Sequence, residues 1–319
     1  MQQPDPKFIL KGTDPALSVA FSNQQLLVGL TKGSIAVYCL SSLRSNYELK
    51  AGTSPIVFIS STVENLYTFD RAGVIKIWEL EKSGYKVTKE IVTGHEGFAR
   101  PQHLVDRNLL VAPSSESDIS VIDLTKGSEE QTIKPPDGVK QLMCIRVFTW
   151  LDKELKVLAG YESGHLVLFD LKQSKAVQAL KFNFGVTTID YDLPTNRGLL
   201  SGPDNITVVN FGIDKETLEL YHNRAEDITY VPKDDDQKMA GISVIRNRPD
   251  RAVIIVGSCD GHIYVHSHQS LRKFATLKNH KGTITDVAFS TGAIDNFKKN
   301  IMACCSTDGN ISLWDIYYK

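Results

Sequence analysis

Along most of the chain, hydrophobic and polar positions alternate with a period of two, in short runs broken by turns rich in Gly and Asp. A strand sends successive side chains to opposite faces, so this alternation predicts half-buried β-strands rather than helices. The clearest instance is STDGNISLWDIYYK, residues 306–319, where an Asp-Gly turn feeds Ile311, Leu313 and Trp314. The same apolar-x-apolar-bulky pattern recurs at SIAVYCL (Ile35), VIKIWEL (Ile75), DISVIDL (Ile119), HLVLFDL (Leu166), NITVVNF (Ile206) and HIYVHSH (Ile263). Steps between these first apolar positions are 40, 44, 47, 40, 57 and 48 residues. A turn precedes each (TKG, RAG, ESD, ESG, PDN, CDG, TDG), and upstream of each turn lie two more β-rich runs, such as KVLAGYE and MCIRVFTW.

Four strands per unit and seven units predict an all-β, seven-bladed β-propeller with WD-type signatures. Outer fourth strands are expected at NYELKAG, YKVTKEIVTG, EEQTIKP, KAVQALKF, TLELYHN and LRKFATLKNH, and the seventh unit has none after Trp314. An open edge beside an interior strand invites aggregation. KFILKG, residues 7–12, is a strand without a unit of its own, and pairing it into the last blade closes the circle. The expected blades are roughly 13–50, 51–94, 95–138, 139–183, 184–240, 241–280, and 281–319 plus 7–12, in a single domain of residues 1–319 that is expected to be monomeric.

Charge narrows the partners. With 36 basic and 37 acidic side chains the net charge is −1, which argues against direct nucleic-acid binding or an anionic membrane surface. The opening MQQPDPK lacks a signal pattern, and the longest apolar run, about six residues around 252–256, is far short of a membrane span. Five cysteines, none in a CxxC pair, read as reduced thiols of a cytoplasmic or nuclear protein.

The polar residues that invite chemistry have scaffold readings beside the catalytic ones. His280, Ser306, Asp308 and Trp314 contain the elements of a Ser-His-Asp triad. In WD-type blades such a set forms a buried relay instead, the indole N–H donating to Ser, Ser to His, and His to the turn Asp. No G-x-S-x-G elbow exposes a nucleophile. Blade two keeps Thr68, Asp70 and Trp78 without the His; blade six keeps Ser258 and Asp260 with His266 at the Trp position. His95, Glu96 and His103 glance at a zinc-protease motif, but the histidines stand eight positions apart across Gly97 and Pro101. In CDGHIYVHSH, strand rise puts His266 and His268 about 7 Å apart, close enough for a shared ion, against the alternative of packed core histidines. No cofactor motif is present.

Surface loops remain as the place for partners. Trp150 and Leu151 sit at a turn beside Lys153, near the basic turns Arg246, Arg248 and Arg251, and Phe297, Lys298 and Lys299. Aromatic side chains with Arg are the composition of interface hot spots, although Trp150 has an inward-tucked alternative. The long connection between blades five and six ends in an acidic stretch with Tyr230 and Val231 as candidate anchors, or as parts of a solvated loop.

The opening PDPKFILKGT, the segment LMCIRVFTWLDKELKVLAGYESGHLVLFDL, the RPDR turn and the ending STDGNISLWDIY together resemble the G-protein-β-subunit-like WD-repeat family, whose fungal members are ASTRA-associated WD-repeat proteins. The resemblance is strongest in blades one, four, six and seven. It implies a non-enzymatic adaptor that works with the TTT cochaperone in maturing phosphatidylinositol-kinase-related (PIKK-family) kinases, with a link to ASTRA-like chromatin complexes; it transfers no residue-level site. A true G-protein β subunit places a long helix before its propeller, whereas six residues precede the first strand here, so no G-protein γ subunit is expected. Cullin-ligase substrate receptors, a second reading, often carry Arg two places after Trp-Asp, where this chain has Tyr317. A propeller hydrolase would need several inward acids, and the innermost runs offer Asp190 and Asp286.

Overall fold

The computed structural model describes residues 5–81, 84–150, 153–230 and 241–316. The alternating runs become strands, and consecutive hairpins join them into seven antiparallel sheets arranged as the blades of a propeller. In blade one, Ala16–Ser22 is innermost, followed outward by Gln25–Leu30, Ser34–Cys39 and Arg44–Lys50. The innermost strands of blades two to seven are Ile56–Ser61, Gln102–Leu104, Leu142–Thr149, Thr188–Asp192, Ile242–Asn247 and Ile284–Phe289. Burial follows position: Gln25–Leu30 and Ser34–Cys39 are almost wholly buried, whereas the outer Arg44–Lys50 is mostly exposed.

Blade seven takes its outer strand from the other end of the chain. Phe8–Lys11 runs antiparallel to Asn310–Trp314, with Phe8 opposite Leu313 and Lys11 opposite Asn310. Backbone bonds from Lys7 N to the Leu313 carbonyl (2.8 Å) and from Gly12 N to the Gly309 carbonyl (3.1 Å) extend the ladder at both ends. Leu10, 3 % exposed, enters the core shared by blades seven and one with Ile311, Leu313, Ala16 and Val28.

Each space between neighbouring blades is filled in the same way. Blades one and two share Leu27, Ile35, Ile56 and Trp78, and blades six and seven share Ile255, Val265, Met302 and Trp314. The turn before each bulky position packs on the connection into the next blade. Gly73 has φ +79°, and a Cβ there would stand 2.3 Å from the His95 carbonyl oxygen; Gly261, at φ +89°, is in the same relation to His280 at 2.5 Å. Glycine is required at both for conformation and for space.

The innermost strands leave a free ladder edge facing the central channel, and side chains of adjacent blades satisfy it. Gln102 of blade three accepts from Val147 N (2.7 Å) and donates to the Val147 carbonyl (3.1 Å). Asp190 of blade five accepts from Asn247 N (2.6 Å), and Asp286 of blade seven accepts from Val19 N (3.2 Å). Ser18 donates to the Ile56 carbonyl, Ser243 to that of Ile284, and Thr285 to that of Ala16.

Blade five departs from the expected single outer strand. Leu220–His222 pairs with one end of Thr207–Ile213 and Ile228–Thr229 with the other. Between them the Asp227 carboxylate takes over from the ladder, accepting Asn210 N at 2.8 Å while bonding His222 Nε2.

Deleting residues 1–12 is expected to unmask the Asn310–Trp314 edge and to forfeit burial of Leu10, worth roughly 2–3 kcal/mol by itself. Thermal melting and size-exclusion chromatography should show a lower midpoint and self-association; a monomer that melts like the intact chain would contradict the closure.

Candidate interaction surface and central channel

The buried relay of blade seven is present with one substitution of partner. Trp314 Nε1 donates to Ser312 Oγ (2.6 Å), Ser312 bonds His280 Nε2 (2.7 Å), and His280 Nδ1 faces the Asp308 carboxylate at 3.2 Å. Ser306, expected as the relay hydroxyl, instead donates to the Gly282 carbonyl and accepts from Asp308 N. Register explains the correction. In blade two Trp78 lies opposite Leu66, and its indole reaches Thr68, which lies opposite Lys76. The matching pairs in blade seven are Met302–Trp314 and Cys304–Ser312. Cysteine therefore occupies the usual hydroxyl position, and the hydroxyl comes from the facing strand. Ser312 is fully buried and the His280 side chain has no exposed surface, so the set is closed to substrate.

Blade six satisfies the same position differently. His266 lies opposite Ile254, as Trp314 lies opposite Met302, and both its ring nitrogens are engaged: Nε2 with the Tyr230 hydroxyl and Nδ1 with the Leu271 carbonyl, each at 2.8 Å. Tyr230, expected as a loop anchor for a partner, is instead 5 % exposed and stacked on Tyr264 at 4.4 Å. The chain after blade five returns to plug blade six because His266 alone would leave a buried ring nitrogen without a partner. His268 stands 3.9 Å from Asp192, and no cluster of three metal-ligating side chains occurs among the described residues.

The other surface candidates disperse. Trp150 is buried in the core of blades four and five, edge-on to Phe148 at 5.9 Å, so it is not a surface anchor. Arg248 is 4 % exposed and held by both oxygens of Asp250, bridging to the Ile316 carbonyl. Arg246 points into the channel, 3.4 Å from Asp286. Phe297 packs on the core of blades seven and one. Lys299 pairs with Asp315 directly after Trp314, and Lys156 likewise pairs with Asp170 after Phe169. Arg251 is exposed but bonded to Asp192 at 2.9 Å. Lys153 and Lys298 remain exposed, each at positive φ, and the Lys153 carbonyl accepts from Arg107. Leu151 and Val231 lie outside the described residues.

Side chains from every blade line the central channel, a cavity of about 670 Å³. Its principal feature is Arg100, which reaches across from blade three to Asp286 (3.0 Å) and to the carbonyls of Leu17 (2.8 Å) and Thr285 (2.9 Å) in blades one and seven. Arg146 and Arg246 hold the same place in their repeats, four residues into strands that both carry an early register shift. Arg146 pairs with Asp190 at 2.8 Å, so the two inward acids considered for a hydrolase are both spent on arginines and backbone amides. Cys144 donates to the Val186 carbonyl, and burial pushes its thiol up to about 12. At the mouth Arg71 lies over the ring of Phe98, itself 55 % exposed. Aligning the repeats on their innermost strands would have found Arg146 and Arg246 from sequence; Arg100, in an irregular connection, carries no such signal.

This architecture defines a WD-repeat β-propeller, and the WD domain, G-beta repeat family matches residues 271–315, the stretch that holds the intact relay. Over its whole length the chain is similar to guanine nucleotide-binding protein subunit beta-like protein 1 of Mus musculus, 22% identical with 98% of this chain and 97% of the relative covered. It is similar to ASTRA-associated protein 1 of Schizosaccharomyces pombe, 25% identical over 99% of this chain and all of the relative, and to that of Verticillium alfalfae, 23% identical over 99% and 94%. The chain is a non-enzymatic WD-repeat adaptor, similar from end to end to G-β-like and ASTRA-associated proteins.

Ser312→Ala should strand both the Trp314 N–H and His280, at a cost of about 1–3 kcal/mol in urea denaturation. Acid should also weaken the fold. Burial lowers the affinity of His95, His266 and His280 for protons and takes His103 from 6.5 to about 4. The unfolded chain then binds protons that the native one refuses, so stability falls as pH drops from about 6.5 toward 4. Melting temperatures across that window should show it, and His103→Asn should flatten the slope.

Proposed function

We propose that the chain assists maturation and stability of PIKK-family kinases together with the TTT cochaperone, in the cytoplasm and nucleus, as part of an ASTRA-like chromatin-associated complex. The observation that carries this reading is the end-to-end similarity to ASTRA-associated protein 1, with 99% of this chain and all of the fission-yeast relative aligned. The physical properties are those of an adaptor. The relay is sealed, the inward acids are neutralised, and the polar groups of the blades are spent on holding the blades together. The rims present exposed apolar side chains, among them Val63, Leu80 and Val105 in the hairpin ends of blades two and three. Rigid sheets presenting loops on two rims hold partners in fixed relation without a large ordering cost.

Affinity purification of the tagged chain from cells, followed by mass spectrometry, should recover TTT components and PIKK-family kinases, and depletion of the chain should lower the amounts of those kinases. Recovery of a G-protein γ subunit or a cullin-ligase adaptor in their place would overturn the proposal.

A further inference from the structure

The central channel carries more positive charge than the propeller needs. Four guanidinium groups line it, from Arg71, Arg100, Arg146 and Arg246, against the carboxylate of Asp286 in the lining and that of Asp190 behind Arg146. Two positive charges are left over in a chain whose net charge is −1. The pairing is also uneven. Asp286 Oδ1 is shared between Arg100 and Arg246 at 3.0 and 3.4 Å, so it saturates neither. Arg71 has no ion pair among the described residues, and its buried Nε has no hydrogen-bond partner. Its guanidinium lies 4.1 Å over the face of Phe98 at the mouth, a contact that uses none of its N–H donors.

The four guanidiniums are half-buried, and a cleft walled by protein focuses their field where open solvent would screen it. The fork of N–H donors on Arg matches tetrahedral oxyanions, which accept two parallel bonds from each such group. A volume of about 670 Å³ accommodates a group larger than a single simple ion.

We infer that the channel is a binding site for a multiply charged phosphate, held by the terminal donors of Arg71 and by the donors that Arg146 and Arg246 keep beyond Asp190, Asp286 and the Tyr191 and Ile245 carbonyls, with Phe98 flanking the entrance. Arg100 is a strut in this arrangement, because three of its five N–H donors tie it to Asp286, Leu17 and Thr285 in blades seven and one. The phosphate reaches the site either as a free oligophosphate or on a phosphorylated side chain of a partner protein. Neither source depends on the kinase-maturation reading.

The test is isothermal titration calorimetry of the full chain, at physiological salt, with inorganic tripolyphosphate in one arm and a phosphoserine-containing acidic peptide in the other. Sulfate and the unphosphorylated peptide serve as controls. The expected result is one site per chain for at least one phosphate probe, weakened roughly ten- to a hundredfold by Arg71→Ala, the loss of a charged hydrogen-bonding group. Arg71 has no ion pair to lose, so this variant should melt with the wild type. Arg146→Lys, which keeps a charge beside Asp190 but removes the fork, should weaken binding as well. The arm with the tighter binding identifies the source. Absence of binding in both arms overturns the assignment, as does affinity unchanged in both variants or equal affinity for sulfate.

Discussion

Every blade of this protein is a small antiparallel sheet that buries its faces against a neighbour on each side, and the arrangement as a whole depends on the ladder between Phe8–Lys11 and Asn310–Trp314. Without it, Trp314 and Leu313 would sit on an outermost strand, and the core between blades seven and one would lose its lid at Leu10. The four residue pairs are few, but they join positions about three hundred residues apart. Contacts of that separation come late and are costly in chain entropy. The same edge problem arises at the axis, where Gln102, Thr188, Asp190 and Asp286 present acceptors to the strand N–H groups of the next blade. Closure at the rim and closure at the axis are thus separate devices, one made of backbone and one of side chains.

The position beneath each bulky third-strand residue shows how much the repeat can erode while buried polar groups stay satisfied. Blade two uses Trp78 and Thr68. Blade seven uses Trp314 with a hydroxyl on the facing strand, Ser312, so that the chain of bonds runs through His280 to Asp308 while Cys304 stands where blade two has Thr68. Blade six gives up the indole altogether, and His266 is completed by Tyr230 from the preceding connection. The WD domain, G-beta repeat match, residues 271–315, falls on the second of these arrangements.

Strand alternation and the recurring turn carried the number of blades and the pairing of the two ends, because both depend on local period and on spacing. Side-chain direction at strand ends was not legible. Trp150 follows a strand and folds back on Phe148, whereas the same residue one pleat away would face solvent. Arg246 looked like part of a basic turn, yet it is the fifth residue of an innermost strand and faces the axis. Ser306 lies two residues past Cys304, the residue that faces Ser312, and its place is illegible for a similar reason: the spacing from Trp314 is ambiguous until the register fixes which residue lies opposite which. Tyr230 belongs to a different class, since its partner lies 36 residues on and no local pattern announces a plug.

Arg100 ties these levels together. It sits in the connection that opens blade three, yet its donors end on blades one and seven, so one side chain spans the axis and touches both sides of the seam where the ring closes. Asp286 is its counterpart, reaching Val19 N in blade one while receiving arginines from blades three and six. Asp286 divides its carboxylate between two guanidiniums and a backbone amide, so the contact between blades one and seven and the lining of the channel belong to one hydrogen-bonded set, closed by side chains where the rim is closed by backbone.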